Sequence, residues 1–266
     1  MELYIQAFSD YYANNENIEL KKELKKSYKV DIRRKDNFIF AGMLAALRLK
    51  EKVSIAKSDE LYLTSGYGNI DILAKMNNYV LEEKEPIKLF DFINILGNTT
   101  NFYIAKELGI EAKSIFQISD NFTYFNSLIS IYASISTRNN DAVFGAIDIV
   151  PADQEVLKRV AGITNETPIC TNVSFQKLSK NPKNALCKLE FDTQFYSLES
   201  IKEIIKKEDL TLRVSYRCNE LNGQKGTCYF ETEASSIVNN AILSKEPTLF
   251  IEAYENRYKI LKITPL

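Results

Sequence analysis

The sequence predicts a layered α/β protein, and three observations carry that prediction. The hydrophobic period switches repeatedly between two and 3.6, so strands alternate with helices along the chain. The run AVFGAIDIV at 142–150 is mostly apolar, which suits a central strand covered on both faces. Only nine glycines and six prolines occur in 266 residues, so long loops should be few.

The elements follow in order. Residues 3–8 read as a strand. Residues 35–50 read as a helix, with Phe38, Met43, Ala46 and Leu47 toward a core. A short strand at 59–63 ends at Thr64-Ser65-Gly66, and a helix follows at 69–80. Pro86 breaks the chain, and a further helix runs from about 92 to 108. Residues 114–119 form a strand. The helix at 122–137 is apolar on all sides, which marks it as buried. In the second half, 186–192 is a strand and 198–207 a helix with Ser197 as its N-cap. Residues 210–216 alternate as a strand and 232–243 form a helix. Two strands at 248–254 and 257–263 close a hairpin around Glu255-Asn256. No GxGxxG follows the first strand and there is no P-loop, so neither nucleotide motif is present.

Composition narrows the function. Apolar residues make up 45% and charged residues 26%, an ordinary globular balance. Lys plus Arg (34) nearly cancels Asp plus Glu (35), which argues against a nucleic-acid partner. Histidine is absent, which excludes imidazole acid/base chemistry, His-paired nucleophiles and His metal ligands. The four cysteines, Cys170, Cys187, Cys218 and Cys228, form no CxxC pair and read as reduced thiols. The first twelve residues carry no basic stretch, and no apolar run approaches the roughly 18 residues of a membrane span. A cytoplasmic location without a membrane span is expected. Nothing calls for a metal or nucleotide cofactor.

Four segments occur in a telling order: Thr64-Ser65-Gly66-Tyr67-Gly68-Asn69; FDFINILGN at 90–98 after Glu85-Pro86; the turn Ser119-Asp120-Asn121-Phe122 opening the buried helix; and DAVFGAID at 141–148. This set resembles the β-ketoacyl synthases, the condensing enzymes of fatty acid and polyketide synthesis. The resemblance covers residues 30–150 well and 185–266 more weakly. It implies a thiolase-like fold, layered αβαβα, with two pseudo-repeated halves (1–150 and a shortened 151–266) in a single domain.

The departures from that family shape the expected function. The family's elbow carries a cysteine, whereas its slot here falls at or near Asn121, among Ser119, Asp120 and Phe122. Its two histidine loops correspond to Arg217-Cys218-Asn219 and Gly226-Thr227-Cys228-Tyr229. The resemblance therefore implies a pseudoenzyme similar to chain-length factors, with a ketosynthase or a second copy as dimer partner and an acyl carrier protein as a further one. The dimer would form along strand 114–119, placing Ser114, Phe116 and Ile118 at the interface with Gly97 and Asn98. Asn121 could mimic an acyl-enzyme, or it and Asp120 could simply cap the helix. Tyr124 and Phe125 could line an acyl pocket, or pack in the core. Arg33-Arg34-Lys35 could receive an acidic carrier protein, or be a solvated helix entry. Cys218 and Cys228 could be reactive, or ordinary thiols. The alternative function is a stand-alone pseudoenzyme that uses the dimeric thiolase-like scaffold as a protein-binding or structural module.

Overall fold

The computed structural model describes residues 1–12, 19–138 and 140–266. Ten strands form one continuous sheet: β1 (Glu2–Tyr12), β2 (Glu60–Ser65), β3 (Ser114–Ile118), β4 (Ala142–Asp148), β5 (Asn172–Ser179), β6 (Cys187–Phe191), β7 (Thr211–Val214), β8 (Gln224–Lys225), β9 (Thr248–Tyr254) and β10 (Arg257–Pro265). The helices are α1 (Leu20–Ser27), α2 (Asn37–Lys52), α3 (Ile70–Asn78), α4 (Leu89–Ile95), α5 (Gly97–Leu108), α6 (Thr123–Arg138), α7 (Gln154–Ala161), α8 (Leu198–Lys207) and α9 (Glu233–Ser244).

The strand order is β3-β2-β4-β5-β1-β6-β10-β9-β7-β8. Read outward from the centre, both halves follow one pattern. In each, the first and fourth strands flank the fifth antiparallel to it, and the second and third run parallel to the fourth side. β1 pairs antiparallel with β6 and joins the halves. Because β5 pairs with β4 and β1, it closes the first half. The internal boundary therefore lies between Ser179 and Cys187, later than the break after residue 150 expected from the sequence. The second half is shorter: α3 to α5 have no counterpart between β7 and β8, and α7 has none between β9 and β10.

Side-chain packing gives the layers. One apolar cluster joins α2 and α5 to one face of the first half-sheet, through Phe38, Leu44, Ile104, Val143 and Phe175. A second joins α6 and α9 to both half-sheets, through Phe125, Leu128, Val238, Phe144 and Phe250. A third seats α8 on the second half-sheet through Ile201, Ile251 and Tyr258. The layers are thus helix, sheet, helix, sheet, helix. The predicted helix at 92–108 is two helices that break at Leu96, and Gly97 starts the second. The break is the extended backbone of Leu96 (φ −74°, ψ 118°), and glycine follows because a Cβ at Gly97 would sit 2.3 Å from the Phe116 ring. The chain must pass that ring closely, and only glycine can.

Candidate functional site

The end of β3 leads into α6 through a sharp turn. Ser119 N–H donates to Ser65 O at 3.1 Å, which ties the turn to the end of β2. Ser119 Oγ donates to Asn121 O at 2.7 Å, and Thr123 Oγ1 donates back to Ser119 O. Phe122 then sits at φ 50°, in the left-handed region that aromatic side chains avoid. Such a backbone costs on the order of 1–2 kcal/mol and survives only where packing holds it. Packing does so here: Phe122 is buried, with its ring centroid 5.2 Å from Phe195 and 6.5 Å from Tyr254.

The residue in the left-handed region of this turn is Phe122, one beyond the Asn121 that the sequence placed in the nucleophile slot. Asn121 and Asp120 do not act as caps in the way the sequence suggested. Asn121 Nδ2 donates to Asp120 Oδ1 at 2.8 Å, so the two side chains bind each other.

Behind this turn lies a buried acid pair. Glu252 comes from the middle of β9 and Glu231 from the segment entering α9; both are buried, Glu252 completely. Burial and the facing Glu231 carboxyl push Glu252 well above the usual carboxylate range. Burial also raises Glu231, against the pull of Arg217 and of the Phe122 and Thr123 amides. None of the four oxygens has a hydrogen-bond partner of normal geometry among the described residues. Burial of both carboxyls raises the pair and so favours its protonated form.

Arg217 supplies the balancing charge. Its Nη1 is 3.5 Å from Glu231 Oε1 and donates to Asp120 O at 2.6 Å. Its guanidinium stacks 4.1 Å over the Tyr229 ring, and the Tyr67 and Tyr229 hydroxyls are 3.4 Å apart. The two loops that the sequence placed in the histidine positions thus do converge on the elbow, bringing Arg217 and Tyr229. The sequence reading missed Glu231 and Glu252. The available signal was a lone charge inside the apolar strand TLFIEAY. The cavity left among Arg217, Tyr229, Glu231 and Phe250 is about 10 Å³, room for about one water.

A second carboxylate organises the turn on the other side. Asp148 ends β4, fully buried, and accepts from Ser65 Oγ at 2.7 Å, Thr232 Oγ1 at 2.7 Å and Gly66 N–H at 3.0 Å. Burial raises its pKa, and those donors pull it back. Gly66 has no room for more: a Cβ there would meet Asp148 Oδ2 at 3.3 Å. This explains why the Thr64-Ser65-Gly66 turn and the 141–148 strand occur as a set. One strand's terminal carboxylate holds the other strand's turn and the entry to α9.

The remaining candidates fall into three groups. Tyr124 and Phe125 are wholly buried in the middle layer; Tyr124 donates to Gln176 Oε1 at 2.8 Å and Phe125 stacks on Phe250. Their geometry supports core packing. Ser114 and Ile118 are exposed on β3, an edge strand bonded only to β2, with Phe116 half-buried between them. Gly97 and the exposed Asn98 start α5, which packs on β3. Phe102 of α5 and Leu96 just before it are also exposed. The basic run is engaged locally: Arg33 pairs with Asp31, Arg34 stacks on Phe90 and Lys35 on Tyr103. Burial pushes the thiols up, to about 11 for Cys218 and about 12 for Cys187. No group of residues that could hold a metal ion occurs among the described residues, and no helix there is long and apolar enough to cross a membrane.

No protein-family model and no curated protein matches the chain. Solved structures do. A chain from the ketosynthase ApeO in complex with its chain length factor ApeC, from Xenorhabdus doucetiae, aligns at TM-score 0.64 and 10% identity, over 98% of this chain and 99% of that one. The ishigamide ketosynthase/chain length factor aligns at TM-score 0.66 and 8% identity, over 100% of both chains. A chain from the AntDE:AntF complex, a type II polyketide acyl-carrier protein with its ketosynthase, aligns at TM-score 0.65 and 11% identity, over 100% and 99%. With its mirrored half-sheets, five layers and elbow, the chain has the thiolase-like fold of these ketosynthase and chain length factor structures.

Proposed function

We propose that this protein is a non-catalytic, chain-length-factor-like partner subunit of an active β-ketoacyl synthase in cytoplasmic type II fatty acid or polyketide synthesis. One observation carries the reading: the left-handed residue of the turn into α6 is a buried phenylalanine. An aromatic ring offers no lone pair to form a thioester, and the groups behind it are a buried acid pair and an arginine, with no histidine to act as base. The fold's likeness to ketosynthase and chain length factor complexes supports a ketosynthase as the partner, and an acyl carrier protein as a further one. The unpaired edge of β3, with Phe116 and Ile118, is the surface the partner would cover.

A second reading has its own support. The centre of the chain is filled, with Phe122, Tyr124 and Phe125 packed in the core and about 10 Å³ left beside Arg217. A stand-alone scaffold needs no tunnel.

One experiment separates the two. The tagged chain is pulled from its native host at native expression, and the bound proteins are identified by mass spectrometry. A stoichiometric ketosynthase, lost on Ile118→Lys while the variant stays folded, is the expected result. Recovery of the chain alone, or of proteins unrelated to acyl synthesis, overturns the partner reading in favour of the scaffold.

A further inference from the structure

Cys170 and Cys228 lie 58 residues apart in sequence yet side by side in space, on two segments held together by backbone contacts. Tyr229 N–H donates to Pro168 O at 2.8 Å. Cys170 N–H donates to Cys228 Sγ at 3.3 Å, and that sulfur lies 3.6 Å from Cys170 O. Cys228 is itself held: Glu233 accepts from the N–H groups of Thr227 and Cys228 at 2.8 and 3.1 Å. Gly226 seats this loop against Glu233, where a Cβ would sit 2.4 Å from a carboxylate oxygen. Cys228 is buried, while Cys170 is partly exposed. Among the described residues the other two thiols have no such neighbour: Cys187 bonds to Lys188 O, and Cys218 faces Glu220.

We infer that Cys170 and Cys228 form a reversible disulfide that staples the segment after α7 to the approach to α9. Cys170, the partly exposed residue, is the point of attack and the buried Cys228 resolves it. With a glutathione-type disulfide as oxidant, the Cys170 thiolate attacks one of its sulfurs, the oxidant's S–S bond breaks, and one glutathione leaves as thiolate. Cys228 then gives up its proton to that thiolate and attacks Cys170 Sγ, expelling the second glutathione. Two protein thiols and one oxidised glutathione become one protein disulfide and two reduced glutathiones. The side-chain contact between the two cysteines and burial both hold the Cys228 thiol in its protonated form, so the order of events is fixed. The staple sits beside Tyr229 and Glu231, so closing it fixes the segment that carries the acid pair and the stacking partner of Arg217.

The test uses the full chain, incubated with oxidised glutathione, alkylated under non-reducing conditions and mapped by peptide mass. The expected product is a linked peptide pair containing Cys170 and Cys228, lighter by two hydrogens. Its melting midpoint should rise by roughly 10 °C, as a loop of this length predicts. Dithiothreitol should reverse the shift. In Cys228→Ser, Cys170 should stop at the mixed disulfide and show no rise. A linked pair involving Cys187 or Cys218, or a wild type that accumulates only glutathionylated Cys170, overturns the inference.

Discussion

Replacing Glu252 by glutamine is expected to make the protein more stable, and increasingly so as pH rises. The side chain is fully buried, faces Glu231, and its oxygens lack hydrogen-bond partners of normal geometry. Its folded pKa is therefore above the unfolded value of 4.5. A raised acid binds more protons folded than unfolded, so its contribution is whole below 4.5. It is lost as pH climbs toward and through the folded pKa. While that difference persists, the loss approaches 1.4 kcal/mol per pH unit, or roughly 3–5 °C of melting temperature for a chain of this size. Glu252→Gln keeps the shape and abolishes the titration. Thermal melts of both proteins from pH 5 to pH 8 are the assay. The gap in melting temperature should be smallest at pH 5 and widen in the variant's favour as pH rises, levelling off once the pH passes the folded pKa. Parallel curves would refute the reasoning, because Glu252 would then titrate as an ordinary carboxylate.

Other expectations follow from the same contacts. Phe122→Ala should cost about 3–5 kcal/mol through the lost ring, and Phe122→Gly about 1 kcal/mol less, since glycine tolerates the left-handed backbone; urea unfolding gives the order. Ser65→Ala removes a donor to the buried Asp148 and should cost about 1.5–3 kcal/mol by the same measurement. Gly97→Ala forces a methyl into the Phe116 ring and should cost about 1–3 kcal/mol while weakening any association along β3, read by light scattering. Arg217→Met strands the acid pair without its cation, so its stability deficit should be largest at high pH and shrink on acidification, read by melts across that range.

Elements with a clean period were legible in the sequence. The span 198–207 read as a helix coincides with α8, and the terminal hairpin turns where Glu255-Asn256 predicts. β5 escaped because its pattern misleads: NVSFQKLS looks half-solvated, yet every residue is buried. Its polar side chains find partners inside the protein, although Asn172 Nδ2 is left without one among the described residues. Gln176 bonds to Tyr124 and Asn239, Ser174 to Asn239, Asn172 to Ser236, and Lys177 to Asp59 and Asp141. Such partners come from distant segments, so no local window can reveal them. The elbow was legible as a turn before a buried helix, but locating its left-handed residue required the backbone angle at Phe122. α1 and α7 were missed because each is short and buries only Leu24 or Leu157.

The mirrored strand order leaves the sheet with two unlike ends. One is β3, five residues long and carrying Phe116 and Ile118; the other is β8, two residues ending in a lysine. A two-residue strand with a charge is a poor template for another chain, whereas β3 is a usable one. Growth through sheet ends can therefore happen once per molecule. Two chains joined β3 to β3 would expose only their β8 ends, and addition would stop there. The short second crossover thus limits this one route: an assembly built through β3 would close at two.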